Sequence, residues 1–265
     1  MFRCSPQVIF GGRRRMFLPK AGSSPHGNGS RQDGVDLIDR WITQKAQTKF
    51  FYVTNFTDMN QLEPANTDYV FGLFNNDHMN YELERNKTTN NANREPSLKE
   101  MTEKAIDILL RHGDGFFLAF EGGKIDHGHH AGKAKLAMYD VLAFDEAIEV
   151  AVNKLGTEET LFVVTADHSH SPSMGGYAKR GNSILGFGGA ANTTGTVFPN
   201  ENVPYLTLAY ANGPGGGLWF TGNYTDPASI LPIGPGASTY RGEGFLSSQF
   251  FRCYYPKCSC LFYRG

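Results

Sequence analysis

Five of the eight histidines in this 265-residue sequence fall between positions 127 and 170. They sit in two short strings, Glu121-Gly-Gly-Lys-Ile-Asp126-His127-Gly-His129-His130 and Thr165-Ala-Asp167-His168-Ser-His170. Carboxylate oxygen and neutral imidazole nitrogen are the usual ligands of zinc where cysteine is absent. Asp126 and His130 are four apart, so a helix beginning near Ile125 sets both on one face, able to share one ion. Asp167 and His168 are adjacent, and at an irregular strand end both can turn toward a second ion. Glu121 is a harder ligand that also suits Mg2+. Two ions about 3.5–4 Å apart can clamp the attacking and leaving oxygens of a phosphoryl transfer. His127 and His129 are not both expected as ligands, and one of them should hydrogen-bond from behind the ligand set. A lone histidine of this kind would pass as an ordinary surface or core residue. Two such strings in one chain do not.

Each string follows an apolar run of strand type, Phe116–Phe120 and Leu161–Val164. Between them, Val141, Phe144, Ile148, Ala151, Val152 and Leu155 recur at helical spacing from Ala137, and Gly156 supplies a stop. Lys135, Asp140, Asp145, Glu146 and Glu149 form the polar face of that helix. Strand, helix and strand predict a right-handed crossover that brings the two strings together at the carboxyl edge of a parallel sheet. Both runs are apolar throughout, as in central strands covered on two sides. An unpaired edge beside them would be an aggregation hazard. Elsewhere, Val8-Ile9-Phe10 reads as a strand ending at Gly11-Gly12. Val35, Ile38, Ile42 and Ala46 predict a helix leading to a strand over Phe50–Val53. Ser97 and Glu100 form a capping box for a helix through Met101, Ala105, Ile108 and Leu109, closed near Gly113. Tyr205–Tyr210 reads as a further strand, flanked by segments rich in Gly, Pro, Asn and Thr.

A net charge of −1 offers no electrostatic case for nucleic acid or an acidic membrane. Arg13-Arg14-Arg15 reads as a solvated turn. No apolar stretch after Met1-Phe2-Arg3 resembles a signal peptide, and no run reaches the roughly 18 residues of a membrane span. Sequons at Asn28, Asn55, Asn86, Asn192 and Asn223 nonetheless favour the secretory route, and so an extracellular or cell-surface location. Cys4 stands alone, and Cys253, Cys258 and Cys260 cluster near the end without the spacing of a zinc knuckle.

The stretch from Gly115 to Gly186 resembles eukaryotic alkaline phosphatase. The matching features are Phe-Glu121-Gly-Gly-x-Ile-Asp126-His-Gly-His-His130, Thr-Ala-Asp167-His168-Ser-His170, and Gly175-Gly176-Tyr177 with Arg180-Gly-Asn-Ser-Ile-Leu-Gly186. Weaker resemblance runs upstream through Gly72-Leu-Phe74, Met79-x-Tyr81-Glu82 and Glu95-Pro96-Ser97-Leu98 to Gly11-Gly12-Arg13, and downstream to Asn212-Gly213-Pro214-Gly215. It implies a three-layer α/β/α sandwich with a mostly parallel central sheet and a small Gly/Pro-rich surface-loop subdomain. Residues 1–176 would form part of the metal-binding core, 177–245 the loop-rich subdomain with the remaining core strand, and 246–265 a divergent tail.

The resemblance also implies an activity, the metal-dependent hydrolysis of phosphate monoesters with two zinc ions and a magnesium. Asp126 and His130 would hold the first zinc, Asp167 and His168 the second, and Glu121 the magnesium. His127, His129 and His170 would stand behind the ligands or near substrate, and Phe74 with Glu95 would form an additional cation site, calcium being the candidate. Members of the family are homodimers, and some reach the membrane through a lipid anchor that this sequence does not show. The departures are specific. The family's nucleophile is the serine of an Asp-Ser dipeptide, which this sequence lacks, and its third ligand to the first zinc is a late histidine, whereas none follows His170 here. The expectation is therefore the distal half of an active site, inactive alone. A phosphodiesterase or sulfatase of the same superfamily is an alternative, and so is a non-catalytic metal-binding glycoprotein. The Asp-His-Gly-His-His spacing favours the phosphatase.

Overall fold

The computed structural model describes residues 5–21, 24–85, 93–111, 113, 115–175, 180–186 and 206–210, with the strand backbones at 219–220, 232–233 and 260–263. The chain divides into two units. The first comprises Met1–Lys124, Tyr139–Val163 and Phe251–Gly265, and the second Ile125–Met138 and Val164–Phe250. In chain order the elements are β1 (Val8–Gly11), α1 (Leu37–Lys45), β2 (Phe50–Val53), α2 (Phe56–Asn60), β3 (Tyr69–Leu73) and α3 (Glu82–Arg85). They continue with α4 (Leu98–Leu110), α5 (Lys124–His130), α6 (Ala134–Leu155), β4 (Pro172–Met174) and β5 (Leu208–Tyr210). Short strands β6 (Trp219–Phe220) and β7 (Pro232–Ile233) pair with each other, and β8 is Cys260–Tyr263.

The first unit grows from β1, β2 and β3, short strands that are apolar on both faces, with β8 added beside β1. They lie in the order β2-β3-β1-β8, and every pairing is parallel. Alternation along the strands then fixes two cores. Val8, Phe10 and Val70 join Leu98, Met101, Ala105, Ile108 and Leu109 of α4 and Ala147 of α6. Ile9, Phe71, Leu73 and Tyr52 join Leu18, Ile38 and Trp41 in the other core. Helix, sheet and helix make the three layers that the resemblance implied. Gly72 is forced by this packing, since a Cβ there would stand 2.6 Å from Phe74 Cζ and 2.7 Å from Phe10 Cδ1.

Helix α4 starts as its sequence predicts. Ser97 Oγ accepts from Glu100 N at 3.1 Å, and the Glu100 carboxylate accepts from Ser97 N at 2.7 Å. Arg94 grips both Glu100 oxygens at 2.6 and 2.8 Å. Burial alone would raise the Glu100 carboxyl, but the Arg94 guanidinium and the Ser97 N–H more than reverse this and hold it below 4.5. A depressed carboxyl stabilises the fold above its unfolded value and loses that contribution as the pH falls through its folded value. Glu100→Gln is expected to cost about 1–2 kcal/mol at pH 7. In urea unfolding, the gap from the parent should close as the pH falls below 4.5.

Two expectations fail in instructive ways. Phe116–Phe120 and Leu161–Val164 are not strands, and neither run enters a ladder among the described residues. The predicted crossover is therefore a helix between two unpaired segments. Alternation in the first run is real, because Phe116, Leu118 and Phe120 pack on the larger core while Phe117 stays exposed. Side-chain period reports which face is buried, but a ladder needs a neighbouring backbone, which the pattern cannot supply. Helix α6 forms and stops at Gly156, whose φ is 66°. Its buried line, however, is Ala143, Ala147 and Ala151, with Val141 and Leu142 exposed. Asp140, expected on the polar face, is buried and accepts from Glu82 N at the start of α3, at 3.1 Å. A line of alanines lets a helix approach closely, and that outweighs the larger residues beside it.

The tail called divergent supplies β8, which runs beside β1 with Val8 opposite Cys260. Cys4, Cys253 and Cys258 lie outside the described residues, as do Asn86, Asn192, Asn223 and most of 177–245. Among the described residues no helix is long and apolar enough to cross a membrane.

Candidate metal centre

The site belongs to the second unit. Helix α5 carries Asp126 and His130 one turn apart, with Nε2 of His130 3.3 Å from Asp126 Oδ1. The helix ends where Lys133 N bonds Gly128 O at 2.8 Å and Gly132 takes a φ of 65°. Gly128, in the middle of the histidine string, faces the first turn of α6. A Cβ there would lie 2.8–2.9 Å from N, Cα and Cβ of Ala137, closer than backbone tolerates. The His-Gly-His spacing is therefore a packing requirement as well as a ligand pattern.

The second string has no regular structure, and what fixes it is the strand that follows. Strand β4 pairs antiparallel with β5, Pro172 opposite Tyr210, and Gly175 N bonds Thr207 O at 2.9 Å. This anchors His170 beside Asp126, whose Oδ1 lies 2.7 Å from His170 Nε2. An ionised carboxylate only accepts, so the imidazole donates. His168 Nε2 is 3.6 Å from the same oxygen and 3.7 Å from Asp167 Oδ2. The two carboxylate oxygens of Asp126 and Asp167 therefore lie within about 7 Å of each other, a span that two neighbouring ions can bridge.

Three imidazole nitrogens thus converge on one carboxylate oxygen, at 2.7, 3.3 and 3.6 Å. The rings of His168, His130 and His129 all stand 4.9–5.0 Å from that of His170. Protonated, these rings would repel one another. Neutral, their nitrogens form the donor set that suits zinc. Asp126, His130 and His170 also hold potential ligand atoms within 4.8 Å of one another, so an ion that displaced the His170 proton could be held there.

Burial, and then the charge of neighbouring His170, push His129 below the ordinary imidazole value. It shares a 2.9 Å hydrogen bond with the Tyr210 hydroxyl, which burial pushes up. His168 is raised, first by its contact with the Ser169 carbonyl and then by the Asp167 charge.

The structure thus gathers Asp126, His129, His130, Asp167, His168 and His170. His127 is partly buried on α5. Glu121 is exposed and belongs to the other unit. In that unit Glu95 is buried and accepts from Asn75 Nδ2 at 2.5 Å, Asn80 N at 2.9 Å and Asn80 Nδ2 at 3.2 Å. The Phe74 ring sits in the core, 5.6 Å from that of Phe10. Tyr210 was not foreseen as a partner of His129, because 81 positions separate them. The strand read over Tyr205–Tyr210 was its only signal.

The first unit's parallel α/β framework defines an α/β protein, and the second unit carries a cluster of carboxylate and imidazole groups that could hold a metal ion. Comparison narrows this. The family profile described as alkaline phosphatase matches residues 2–227. Over 216 residues the chain is 43% identical to the tissue-nonspecific alkaline phosphatase isozyme of Felis catus, covering 79% of this chain and 39% of that protein. It is 42% identical to alkaline phosphatase of Gadus morhua, over 78% of this chain and 43% of the relative. A cold-active alkaline phosphatase structure from Shewanella sp. aligns with a TM-score of 0.44 at 23% identity, over 64% of this chain and 36% of that one. The chain belongs to the alkaline phosphatase family. It spans about two fifths of the length of the curated relatives it matches.

Proposed function

We propose that this chain is the metal-holding part of a phosphate-monoester hydrolase of the alkaline phosphatase kind. The supporting observation is the convergence of His130, His168 and His170 on Asp126 Oδ1. Asp126 and His130 would hold one zinc, Asp167 and His168 a second, and Glu121 a magnesium, while Glu95 and Phe74 are assigned to a further cation. Bound there, the zinc ions supply Lewis acidity toward phosphoryl oxygens. His170 donates to Asp126 and fixes the carboxylate from behind, a support that metal sites commonly use. His129, kept neutral by burial and bonded to Tyr210, braces His170 through ring stacking at 4.9 Å.

We assign the protein to the secretory route. Asn28 of its Asn-Gly-Ser sequon is exposed, and the Asn55 sequon caps α2. One relative is named a membrane-bound alkaline phosphatase, from Bombyx mori. A second reading, a metal-binding glycoprotein without turnover, is favoured by the missing Asp-Ser dipeptide.

The test is competition for zinc against a chromophoric chelator. The parent should take up zinc, and Asp126→Asn should weaken its tighter site at least about tenfold, as should His170→Ala. His170→Gln keeps a donor and should recover part of the loss. Equal zinc affinity in the parent and Asp126→Asn would refute the assignment.

A further inference from the structure

Asp126 and His130 alone give a metal ion two protein ligands, fewer than the three of a usual catalytic zinc site. A third stands within reach. One ligand atom from each of Asp126, His130 and His170 lies within 4.8 Å of the other two. Zinc holds imidazole nitrogen at about 2.0–2.1 Å, so neighbouring ligands around a tetrahedral ion stand about 3.3–3.5 Å apart. His130 Nε2 meets that spacing, at 3.3 Å from Asp126 Oδ1. His170 Nε2 is closer to the same oxygen, at 2.7 Å, because a proton rather than an ion lies between them.

We propose that His170 is the third ligand of the first metal ion, through Nε2, and that Asp126, His130 and His170 form a site of one carboxylate and two imidazoles. The inference rests on the metal-centre reading above, and it moves His170 from support behind the carboxylate to direct contact with the ion. A neutral imidazole carries one proton, on either ring nitrogen. On Nε2 that proton is donated to Asp126. On Nδ1 it leaves Nε2 bare for the ion, so the ring changes role with no net gain or loss of protons. Opening the 2.7 Å contact to a tetrahedral edge takes a movement of about 0.6–0.8 Å. The ring is already placed for it. It stacks on His129 at 4.9 Å, and His129 is itself bonded to the Tyr210 hydroxyl. It meets the His130 ring edge-on at 4.9 Å, and the strand that fixes it begins two positions on, at Pro172. The His170 side chain is 18% exposed against 57% for His130, so the ion is backed by His170 and open to solvent beside His130. The ion gains a ligand, and Asp126 loses its brace.

The test uses the full chain with isotope-labelled histidine and cadmium(II) as the probe, an ion that accepts zinc's ligands and shows scalar coupling to a ligating nitrogen in magnetic resonance. On loading, the Nε2 signals of His130 and His170 should both split, and the His170 proton should pass from Nε2 to Nδ1. A zinc competition series then separates ligand from donor. His170→Cys supplies a ligand but only a weak donor, whereas His170→Gln supplies a donor but no ligand suited to zinc. Under reducing conditions His170→Cys should bind zinc at least about tenfold more tightly than His170→Gln. Cadmium held with His170 unsplit and its Nε2 proton in place would overturn the inference and leave the metal-centre reading intact. So would zinc affinity in His170→Gln equal to or above that in His170→Cys. No uptake of either ion by the parent would sink both.

Discussion

Supplied with zinc, magnesium and an aryl phosphate, the purified 265-residue chain is expected to release phenol no faster than the same metals in buffer. The site gathers two carboxylates and four imidazoles, all suited to holding metal or to bracing the groups that do. None of them matches the Asp-Ser dipeptide that carries the nucleophile in the family, and no such dipeptide occurs in the sequence. Loss of a nucleophile from a hydrolase that works through a covalent intermediate costs on the order of 10⁶-fold in turnover. Charge stabilisation by the metals is weakened as well, because the late histidine that completes the first zinc site in the family has no counterpart after His170. Initial rates with and without Asp167→Ala decide the matter. Metal-dependent turnover that Asp167→Ala abolishes would show that the chain supplies a nucleophile of its own.

Gly128→Ala should damage the metal site more than the loss of any one ligand. The added methyl carbon would lie 2.8–2.9 Å from Ala137 backbone and Cβ atoms, and backbone cannot swing aside as a flexible side chain can. Helix α5 must therefore shift against α6, carrying Asp126 and His130 away from His168 and His170 together. Misplacing a preorganised set by about 1 Å costs on the order of 100-fold. The overlap itself should destabilise the fold by about 1–3 kcal/mol. Zinc competition and thermal unfolding would register the two effects separately. If Gly128→Ala binds zinc like the parent, α5 is free to adjust and its packing does not position the ligands. An Ala137→Gly change made alongside it removes the Cβ contact alone and should restore only part of the affinity, since Ala137 N and Cα still obstruct.

Local signals in the sequence were sound wherever the structure is local. The capping box of α4, the face shared by Asp126 and His130, the stop at Gly156 and the strands Val8–Phe10 and Phe50–Val53 depend on neighbours a few positions apart. Each appears as predicted. Pairing was less legible. Phe116–Phe120 and Leu161–Val164 have strand composition but no ladder, because composition cannot show whether another backbone lies alongside. On α6 the helical spacing located Ala137 and Ala151 on the buried face, but close approach also selected Ala143 and Ala147 and admitted Asp140, which meets the Glu82 N–H, while Val141 is exposed. In the site, ligand types and spacing pointed to Asp126, His130 and His168, but the His129–Tyr210 contact depends on the β4–β5 register and has no signature within either string.

The half-open setting of the histidine cluster bears on which element the proposed site would accept. The side chains of His130 and His168 are 57% and 50% exposed, and Asp126 is 37% exposed. Nothing so open imposes a rigid coordination polyhedron, so the cluster ranks divalent metals by their intrinsic preference for nitrogen. In that ranking copper stands above zinc. If the cluster holds metal as proposed, selectivity would come from supply, and the compartment that loads the chain would determine which metal it carries.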